Sequence, residues 1–379
     1  MYEELVRRQK LSKITCWVYR NLSPYVNEVM RELALPEVYL QSARSVVLES
    51  KRSLLGLRSQ TRLDENLCDI YRFYVPQKYE LQVMSTVATR ADLFMPGRGS
   101  IYSEEVTLLR RTELEFDDSV LKELDQARLP IQTGFAGICC IVQRGDGNLL
   151  ARSILEMGFS VPVVTYGKGM GIRDKLGLLR ITIPVDKEVI YFVVSKQDAE
   201  EVLRLVSDKA RLEHPGRGFI YLFPIRNAVL NTKIHRGAVE QVASIEQIVA
   251  AIDELSGNAV WRRRTAASRR LWGKKRFPML TELANYTIID VEGHTADLVR
   301  RAMDAGAGGA TLSALRFEQY AHEATGTEAR SREMSDLIID KKLVEHILAS
   351  SLAHGLATEH SNASVELSSV EMASTYQTD

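Results

Sequence analysis

The sequence has few cysteines and no long apolar run. Its four cysteines, Cys16, Cys68, Cys139 and Cys140, form no C-x-x-C pair and no Cys/His set at metal-ligand spacing, which argues against a zinc or dithiol redox site. No run of about 18 apolar residues signals a membrane-spanning helix. The first ten residues, MYEELVRRQK, lack the apolar core of a signal peptide. We therefore expect a reducing, cytoplasmic setting and no bound metal.

The sequence also lacks an excess of either charge and lacks recognisable catalytic motifs. Its 49 basic residues balance its 49 acidic residues, so any binding to nucleic acid or to a membrane must come from a local patch. No Walker loop, nucleophile elbow or paired-acid motif occurs, and the seven histidines are scattered. These absences predict a protein that is not an enzyme.

A Pro-Gly-Arg-Gly turn, in contrast, is present twice, in MPGRGSIYSEEV (95–106) and in HPGRGFIYLFPI (214–225). Each turn runs directly into a strand-like apolar stretch. Glycines on both sides of an arginine let backbone N–H groups approach an anion, and arginine grips phosphate. The alternative is an ordinary turn between a helix and a strand. The candidate anion-binding residues are Gly97, Arg98, Gly99, Gly216, Arg217 and Gly218.

The order of predicted elements repeats three times. In the second segment, AGICCIV and VIYFVV read as strands, and DAEEVLRLVSDKARL carries apolar residues at helical spacing. The same strand–helix–strand order, twice per segment, is predicted for residues 12–110, 135–232 and 283–375, called here the first, second and third segments. A linker (111–134) and a helical, basic insert (233–282) separate them. We expect an α+β fold of three tandem ferredoxin-like βαββαβ units, each an antiparallel four-stranded sheet covered by two helices.

The second segment resembles the PII and PII-like signal-transduction family. PGRGFIYLFPI matches the family's B-loop and its following strand, and Gly167–Arg180 stands where the family has its T-loop. The resemblance is weaker in the first segment and faint in the third. Because PII proteins are homotrimers with nucleotide clefts between subunits, the resemblance implies an intramolecular, monomeric pseudo-trimer that binds an adenine nucleotide, and with it a small anion such as bicarbonate.

The sequence departs from the PII pattern at three places. The B-loop lysine of the family has no clear match, because Gly218 or Phe219 stands where it would lie. The Arg-x-Arg that follows the last strand in the family is replaced by NAVLNTKIHRG, in which only Lys233 and Arg236 could substitute as phosphate ligands. The T-loop has no confident equivalent of the modified tyrosine, and Tyr166 is expected to pack. The degenerate third segment and the missing arginines favour an alternative, a structural or adaptor subunit that has lost the ligand.

Two charged stretches are candidate partner-binding elements. The glycine-rich stretch GKGMGIRDK suits a recognition loop or, equally, a plain surface loop; its candidate residues are Gly167, Lys168, Gly169, Gly171, Arg173, Asp174 and Lys175. The run RRRTAASRRLWGKKR has eight basic residues and no acid: Arg262, Arg263, Arg264, Arg269, Arg270, Lys274, Lys275 and Arg276. It is read as a solvated linker, as a dock for an acidic protein or an anionic membrane surface, or, least favoured, as an RNA- or DNA-binding patch.

Together these patterns predict a cytoplasmic PII-like regulator, peripheral to the inner face of the membrane. The resemblance implies that its partner is a membrane transporter of inorganic carbon or nitrogen compounds, or a metabolic enzyme.

Overall fold

The computed structural model describes residues 6–51, 60–125, 131–171, 185–232, 235–236, 279–320, 331–352 and 363–376. In this part of the chain, no helix has both the length and the apolarity needed to cross a bilayer.

The first segment contains four long strands and two helices. They are β1 (Arg7–Tyr19), α1 (Ser23–Glu32), β2 (Val38–Lys51), β3 (Gln60–Val75), α2 (Glu80–Arg90) and β4 (Gly99–Arg110), followed by a short α3 (Asp118–Lys122). Helix α1 forms where Pro24 fits the first turn and Val26, Val29 and Met30 share one buried face. Ser23 begins this helix, and its hydroxyl makes no capping bond but donates to Asp69 on β3.

The second and third segments continue the same alternation. The second contains β5 (Phe135–Gln143), α4 (Gly147–Glu156), β6 (Val163–Met170), β7 (Asp186–Ser195), α5 (Ala199–Lys209), β8 (Gly218–Pro224), β9 (Ala228–Val229) and β10 (His235–Arg236). The third contains β11 (Leu283–Val291), α6 (Thr295–Asp304), β12 (Ala310–Glu318), β13 (Ser331–Asp340), α7 (Val344–Ser351), β14 (Ser364–Val370) and β15 (Met372–Thr375). Gly158, with φ 80°, follows the C-cap residue Met157 and stops α4 from continuing.

The strands of all three segments belong to one continuous, largely antiparallel sheet of 15 strands. Its order is β10-β2-β3-β1-β4-β14-β11-β13-β12-β6-β7-β5-β8-β15, and β9 adds to β4. The expectation of three tandem ferredoxin-like units, each a small βαββαβ fold in an intramolecular pseudo-trimer, is therefore wrong. Each small sheet would leave two unpaired edges, and exposed edges are a liability for aggregation. In this structure β4 pairs with β14 and β8 pairs with β15, so these edges are not left open.

Strands β2, β6 and β12 also pair with one another in a triangle. Arg44 on β2 lies opposite Val164 on β6, and Lys168 on β6 lies opposite Leu312 on β12. Arg316 on β12 lies opposite Leu40 on β2, which completes the triangle. Arg44, Lys168 and Arg316 therefore occupy matching positions, each beside a strand of another segment.

The helices cover the outer face of the sheet, and the hydrophobic core cuts across the segments. One cluster combines Val46, Val47 and Leu48 of β2 with residues of α4 and α5. All four cysteines are buried, free thiols. Burial raises the pKa of the Cys140 thiol to about 12, which keeps it unreactive.

Candidate functional site

The backbone of the two Pro-Gly-Arg-Gly turns requires glycine at these positions. Gly97 and Gly216 adopt φ 89° and 73°, angles that favour glycine. A Cβ atom on Gly99 would lie 2.1 Å from the Trp17 carbonyl oxygen, and one on Gly218 would lie 2.1 Å from that of Ile141. Both turns therefore need glycine to bring β4 against β1 and β8 against β5, whatever else they do.

The arginines of the two turns differ in their partners. Arg98 makes an ion pair with Asp92 (Nη2–Oδ2, 3.1 Å), beside its own turn. Arg217 reaches Asp146 in the loop before α4 (Nη1–Oδ2, 3.8 Å). Their side chains keep 41% and 39% of their surface exposed. Both guanidinium groups are accessible to a ligand.

The second turn lies against the loop of residues 143–148, called here the 143–148 loop. The Gln143 side-chain amide donates to the Gly216 carbonyl oxygen at 3.1 Å, and the Arg217–Asp146 pair adds a second link. The first turn is held differently, because the Gly97 N–H donates to the Asn231 side chain at 2.9 Å. The first turn contacts the start of its own helix-opening loop through the backbone, where the Tyr19 N–H donates to the Arg98 carbonyl oxygen at 3.4 Å, whereas the second turn adds two side-chain links to the 143–148 loop.

A carboxylate from the protein itself already occupies the N–H groups of the 143–148 loop. Glu188 on β7 accepts from the N–H of Gly145 at 2.9 Å and from that of Gly147 at 2.8 Å. Its other oxygen accepts from Arg44 Nη2 at 2.8 Å. Burial alone would raise the pKa of Glu188, but the bonds from Arg44, Gly147 and Gly145 outweigh it and lower this pKa. The loop therefore binds an anion, and in this structure the anion is internal.

Tyr166 on β6 contacts two guanidinium groups at the same loop. Arg44 Nη1 donates to its hydroxyl at 2.6 Å, and the Arg44 and Arg144 guanidinium carbons lie 5.3 and 5.6 Å from its ring centroid. The tyrosine remains 53% exposed. The ion pair of Arg144 with Asp186, at 3.5 Å, is exposed. The expectation that Tyr166 packs at the base of a loop therefore misses an exposed aromatic ring that is flanked by cations.

The arrangement around Glu188 has a counterpart in each of the other segments. Asp69 on β3 and Glu333 on β13 occupy the matching strand position. They accept hydrogen bonds from Ser23 and Thr295, which begin α1 and α6. An acid at the start of the first helix is thus a repeated structural feature. At Glu188 an arginine from a different segment, Arg44, joins it.

The predicted recognition loop is partly strand. Gly167, Lys168 and Gly169 lie in β6, and Lys168 and Gly169 pair with β12. Gly171 follows with φ 135°, where a Cβ atom would come within 2.7 Å of Gly309. Arg173, Asp174 and Lys175 lie outside the described residues.

The remaining predicted site residues are not described, with one exception. Arg236 lies in β10, which pairs in parallel with β2 at Glu49. Lys233 and the whole basic run, Arg262, Arg263, Arg264, Arg269, Arg270, Lys274, Lys275 and Arg276, fall outside the described residues. Within the described ranges, no group of three or more His, Cys, Asp or Glu side chains is placed to hold a metal.

Sequence reasoning missed three residues that meet at the 143–148 loop, namely Arg44, Arg144 and Glu188, and it misjudged the exposure of Tyr166. Arg44 and Glu188 are 144 positions apart, so no local motif joins them. The equivalence of Arg44, Lys168 and Arg316 depends on the observed strand registers, so the sequence alone gave no signal for it.

Comparison with models of known protein families finds none that matches this chain, and comparison with curated proteins finds no relative.

Proposed function

We propose that this protein is a non-catalytic regulator that binds an adenine nucleotide beside the 143–148 loop. One observation carries the proposal: the exposed ring of Tyr166 on β6 contacts Arg144 of the 143–148 loop, and the accessible Arg217 of the second turn contacts Asp146 of the same loop. Bases stack on exposed aromatic rings, and arginine binds phosphate through charge-assisted hydrogen bonds. In this arrangement the base stacks on Tyr166 and the phosphates contact Arg144 and Arg217.

The present partners of these arginines are weak enough to be displaced. Arg144–Asp186 and Arg217–Asp146 are exposed pairs at 3.5 and 3.8 Å. Such pairs contribute about 0–1 kcal/mol, whereas a charge-assisted contact to phosphate contributes about 1.5–3 kcal/mol. A nucleotide therefore competes successfully with both aspartates.

The partner and the location rest on the resemblance to PII-like proteins. By that resemblance the regulator acts in the cytoplasm, at the inner face of the membrane, on a transporter of inorganic carbon or nitrogen compounds or on a metabolic enzyme. A small anion such as bicarbonate is a further effector on the same basis. The basic run 262–276 is a candidate contact with the anionic membrane surface.

Isothermal titration calorimetry with ATP, ADP and AMP tests this function. Arg217→Ala should weaken binding about ten- to a hundredfold, since about 1.4 kcal/mol corresponds to a factor of ten. Tyr166→Leu should also weaken binding, because it removes the stacking surface. Arg98→Ala is the matched control and should bind as the wild type does, because the first turn does not contact the 143–148 loop. The proposal fails if the wild type binds no adenine nucleotide at millimolar concentration, or if Arg217→Ala binds equally well.

A second function, a structural or adaptor subunit without a ligand, is favoured by one observation. The N–H groups of Gly145 and Gly147 are filled by Glu188, so the loop needs no external anion. An adaptor of this kind would show no heat of binding with any nucleotide and would still retain its protein partner in a pull-down.

A further inference from the structure

The three arginines that meet at the 143–148 loop have counterparts where the third segment meets the first. One residue of β1 lies opposite both Asp69 on β3 and Gly99 on β4. One residue of β5 has the same relation to Glu188 on β7 and Gly218 on β8. Counting along the chain from these fixed points gives two matched pairs, Arg20 with Arg144 and Arg98 with Arg217.

The third counterpart comes from β12. Arg316 matches Arg44 in strand register. Ser42 on β2 stands where the second segment has Tyr166. Because Arg316 lies opposite Leu40 on β2, its side chain projects from the same face of the sheet as that of Ser42, two residues further along. These counterparts form what is called here the junction site: Arg20, Ser42, Asp69, Arg98 and Arg316.

The junction site differs from the 143–148 loop in its internal carboxylate. Glu188 fills two N–H groups of that loop. Asp69 is one methylene shorter, and among the described residues it accepts from the Ser23 hydroxyl at 2.7 Å and from Arg20 Nη2 at 3.4 Å. The same Arg20 nitrogen lies 3.4 Å from Ser42 Oγ. Charge-assisted N–H···O bonds are usually about 2.7–2.9 Å long, so both contacts of Arg20 are loose and leave it able to bind a ligand.

The other two arginines of the junction site have exposed ion pairs with acids beside them. Arg98 pairs with Asp92 at 3.1 Å, and Arg316 Nε pairs with Glu318 at 3.1 Å. The three arginine side chains keep between 41% and 58% of their surface exposed. Exposed pairs of this kind add little to stability, so each guanidinium group can exchange its partner for a ligand. The backbone already brings Arg98 beside Arg20, because the residue before Arg20 donates its N–H to the Arg98 carbonyl oxygen.

The remaining junction, where the second segment meets the third, lacks this set of arginines. Glu292 follows β11 where Arg20 follows β1, because Asp290 lies opposite Glu333. Lys168 replaces the strand arginine, and the third segment has no Gly-Arg-Gly turn. The strands pair in the same way at all three junctions. Strand pairing therefore does not require the arginines, and their presence at two junctions needs another reason.

We propose that the junction site binds inorganic phosphate between Arg20, Arg98 and Arg316. Arginine recognises phosphate through its fork of N–H donors, and the Ser42 hydroxyl adds a neutral donor. Because Ser42 replaces Tyr166, this position offers no ring on which a base could stack. A nucleotide therefore prefers the 143–148 loop, whereas the junction site needs only the phosphate. The junction site is separate from the proposed nucleotide site and does not depend on it.

Isothermal titration calorimetry with inorganic phosphate, in a zwitterionic buffer at low ionic strength, tests this site. The wild type should bind phosphate saturably at millimolar concentration or below, and sulfate should compete whereas chloride at equal ionic strength should not. Arg20→Gln and Arg316→Gln should each weaken binding at least tenfold, because each removes a charge-assisted contact. Lys168→Gln is the matched control and should leave phosphate affinity unchanged, because Lys168 holds the equivalent strand position at the junction without the arginine set.

Arg217→Ala separates this site from the proposed nucleotide site. Phosphate affinity should survive this change, because Arg217 contacts the 143–148 loop at a different junction. Thermal unfolding without phosphate should be nearly the same for Arg20→Gln, Arg316→Gln and the wild type, since both side chains are exposed. The proposal is overturned if the wild type shows no saturable phosphate binding, if both glutamine variants bind as the wild type does, or if Arg217→Ala abolishes binding. A failure of adenine nucleotides to bind would leave this result unchanged.

Discussion

Lys13 on β1 donates at 2.6 Å to Glu366 on β14, 353 positions later in the chain. Lys13 also lies opposite Glu104 on β4, at 3.3 Å. At the matching positions in the other segments, Gly137 lies opposite Phe223, and Asn285 lies opposite Ser368. Equivalent positions in the three segments therefore hold different pairs: an ion pair in the first, a glycine under an aromatic ring in the second, and an amide beside a hydroxyl in the third. Three identical copies of Lys13 would bring like charges together, so this interior requires three different sequences.

Removing the buried lysine should strongly destabilise the fold. Lys13→Met leaves Glu104 and Glu366 buried without their cation, and breaking a buried ion pair costs about 3–5 kcal/mol. Combining it with Glu366→Gln should cost clearly less than the sum of the two single changes. Urea unfolding of the four proteins gives this coupling. Lys78→Met, which breaks an exposed pair with Asp118, should cost less than about 1 kcal/mol. Equal effects of Lys13→Met and Lys78→Met would contradict the buried pair.

The second glycine of each turn should be intolerant of a side chain. Gly99→Ala and Gly218→Ala place a Cβ atom 2.1 Å from a backbone oxygen at φ 157° and 151°. Backbone must move to relieve this overlap, so we expect losses of more than about 3 kcal/mol in the free energy of unfolding. Gly308→Ala meets nothing within 4 Å and should change it by less than about 0.5 kcal/mol. Thermal unfolding of the three variants checks the order, and a harmless Gly218→Ala would disprove the close approach of β8 to β5.

Glu188 should contribute to loss of stability in acid. Its pKa is lowered in the folded protein, so its contribution is complete above its unfolded pKa of about 4.3 and is lost as pH falls through the folded pKa. Glu188→Gln should make the free energy of unfolding depend less on pH in acid, measured as urea midpoints between about pH 3 and pH 6.

Asp336 should affect stability in the opposite direction, because its pKa is raised in the folded protein. Its ionisation destabilises the fold as pH rises above its unfolded pKa of about 3.9. Asp336→Asn should therefore remove a loss of stability at higher pH, and identical profiles for both variants would contradict these assignments.

The chain should be monomeric in solution. The triangle of β2, β6 and β12 and the pairing of β4 with β14 satisfy within one chain the edges that would otherwise recruit a second copy. Light scattering should give a mass near 42.7 kDa. A mass near three times this value would show that strand edges remain open to other copies.

Local patterns predicted the elements well and their assembly poorly. The helix predicted from DAEEVLRLVSDKARL is observed as Ala199–Lys209, and the apolar run VIYFVV lies within β7. Local periodicity reports burial, however, and not the identity of the strand that pairs with an edge. The pairing of β4 with β14 therefore has no sequence signal, and the expectation of separate units follows from that gap.

The candidate site was predicted only in part for the same reason. Gly216, Arg217 and Gly218 were found because they form a contiguous motif. Arg44 and Glu188 meet through the pairing of β2 with β6 and of β6 with β7, which no spacing in the sequence reveals. The contacts of Tyr166 with Arg44 and Arg144 likewise depend on strand pairing and on the course of the 143–148 loop.

Because β4 pairs with β14, part of the sheet cannot form during translation until most of the chain has been synthesised. After β4 has been made, about 250 further residues must be translated before β14 exists, which takes roughly 10 to 50 s at the usual rates of synthesis. Throughout that interval the edge of β4 from Val106 to Leu109 has no final neighbour. The nascent chain is thus exposed to mispairing for far longer than a chain that completes each sheet as it emerges. Holding chaperones that cover an open strand edge are the cellular factors on which its yield should depend most.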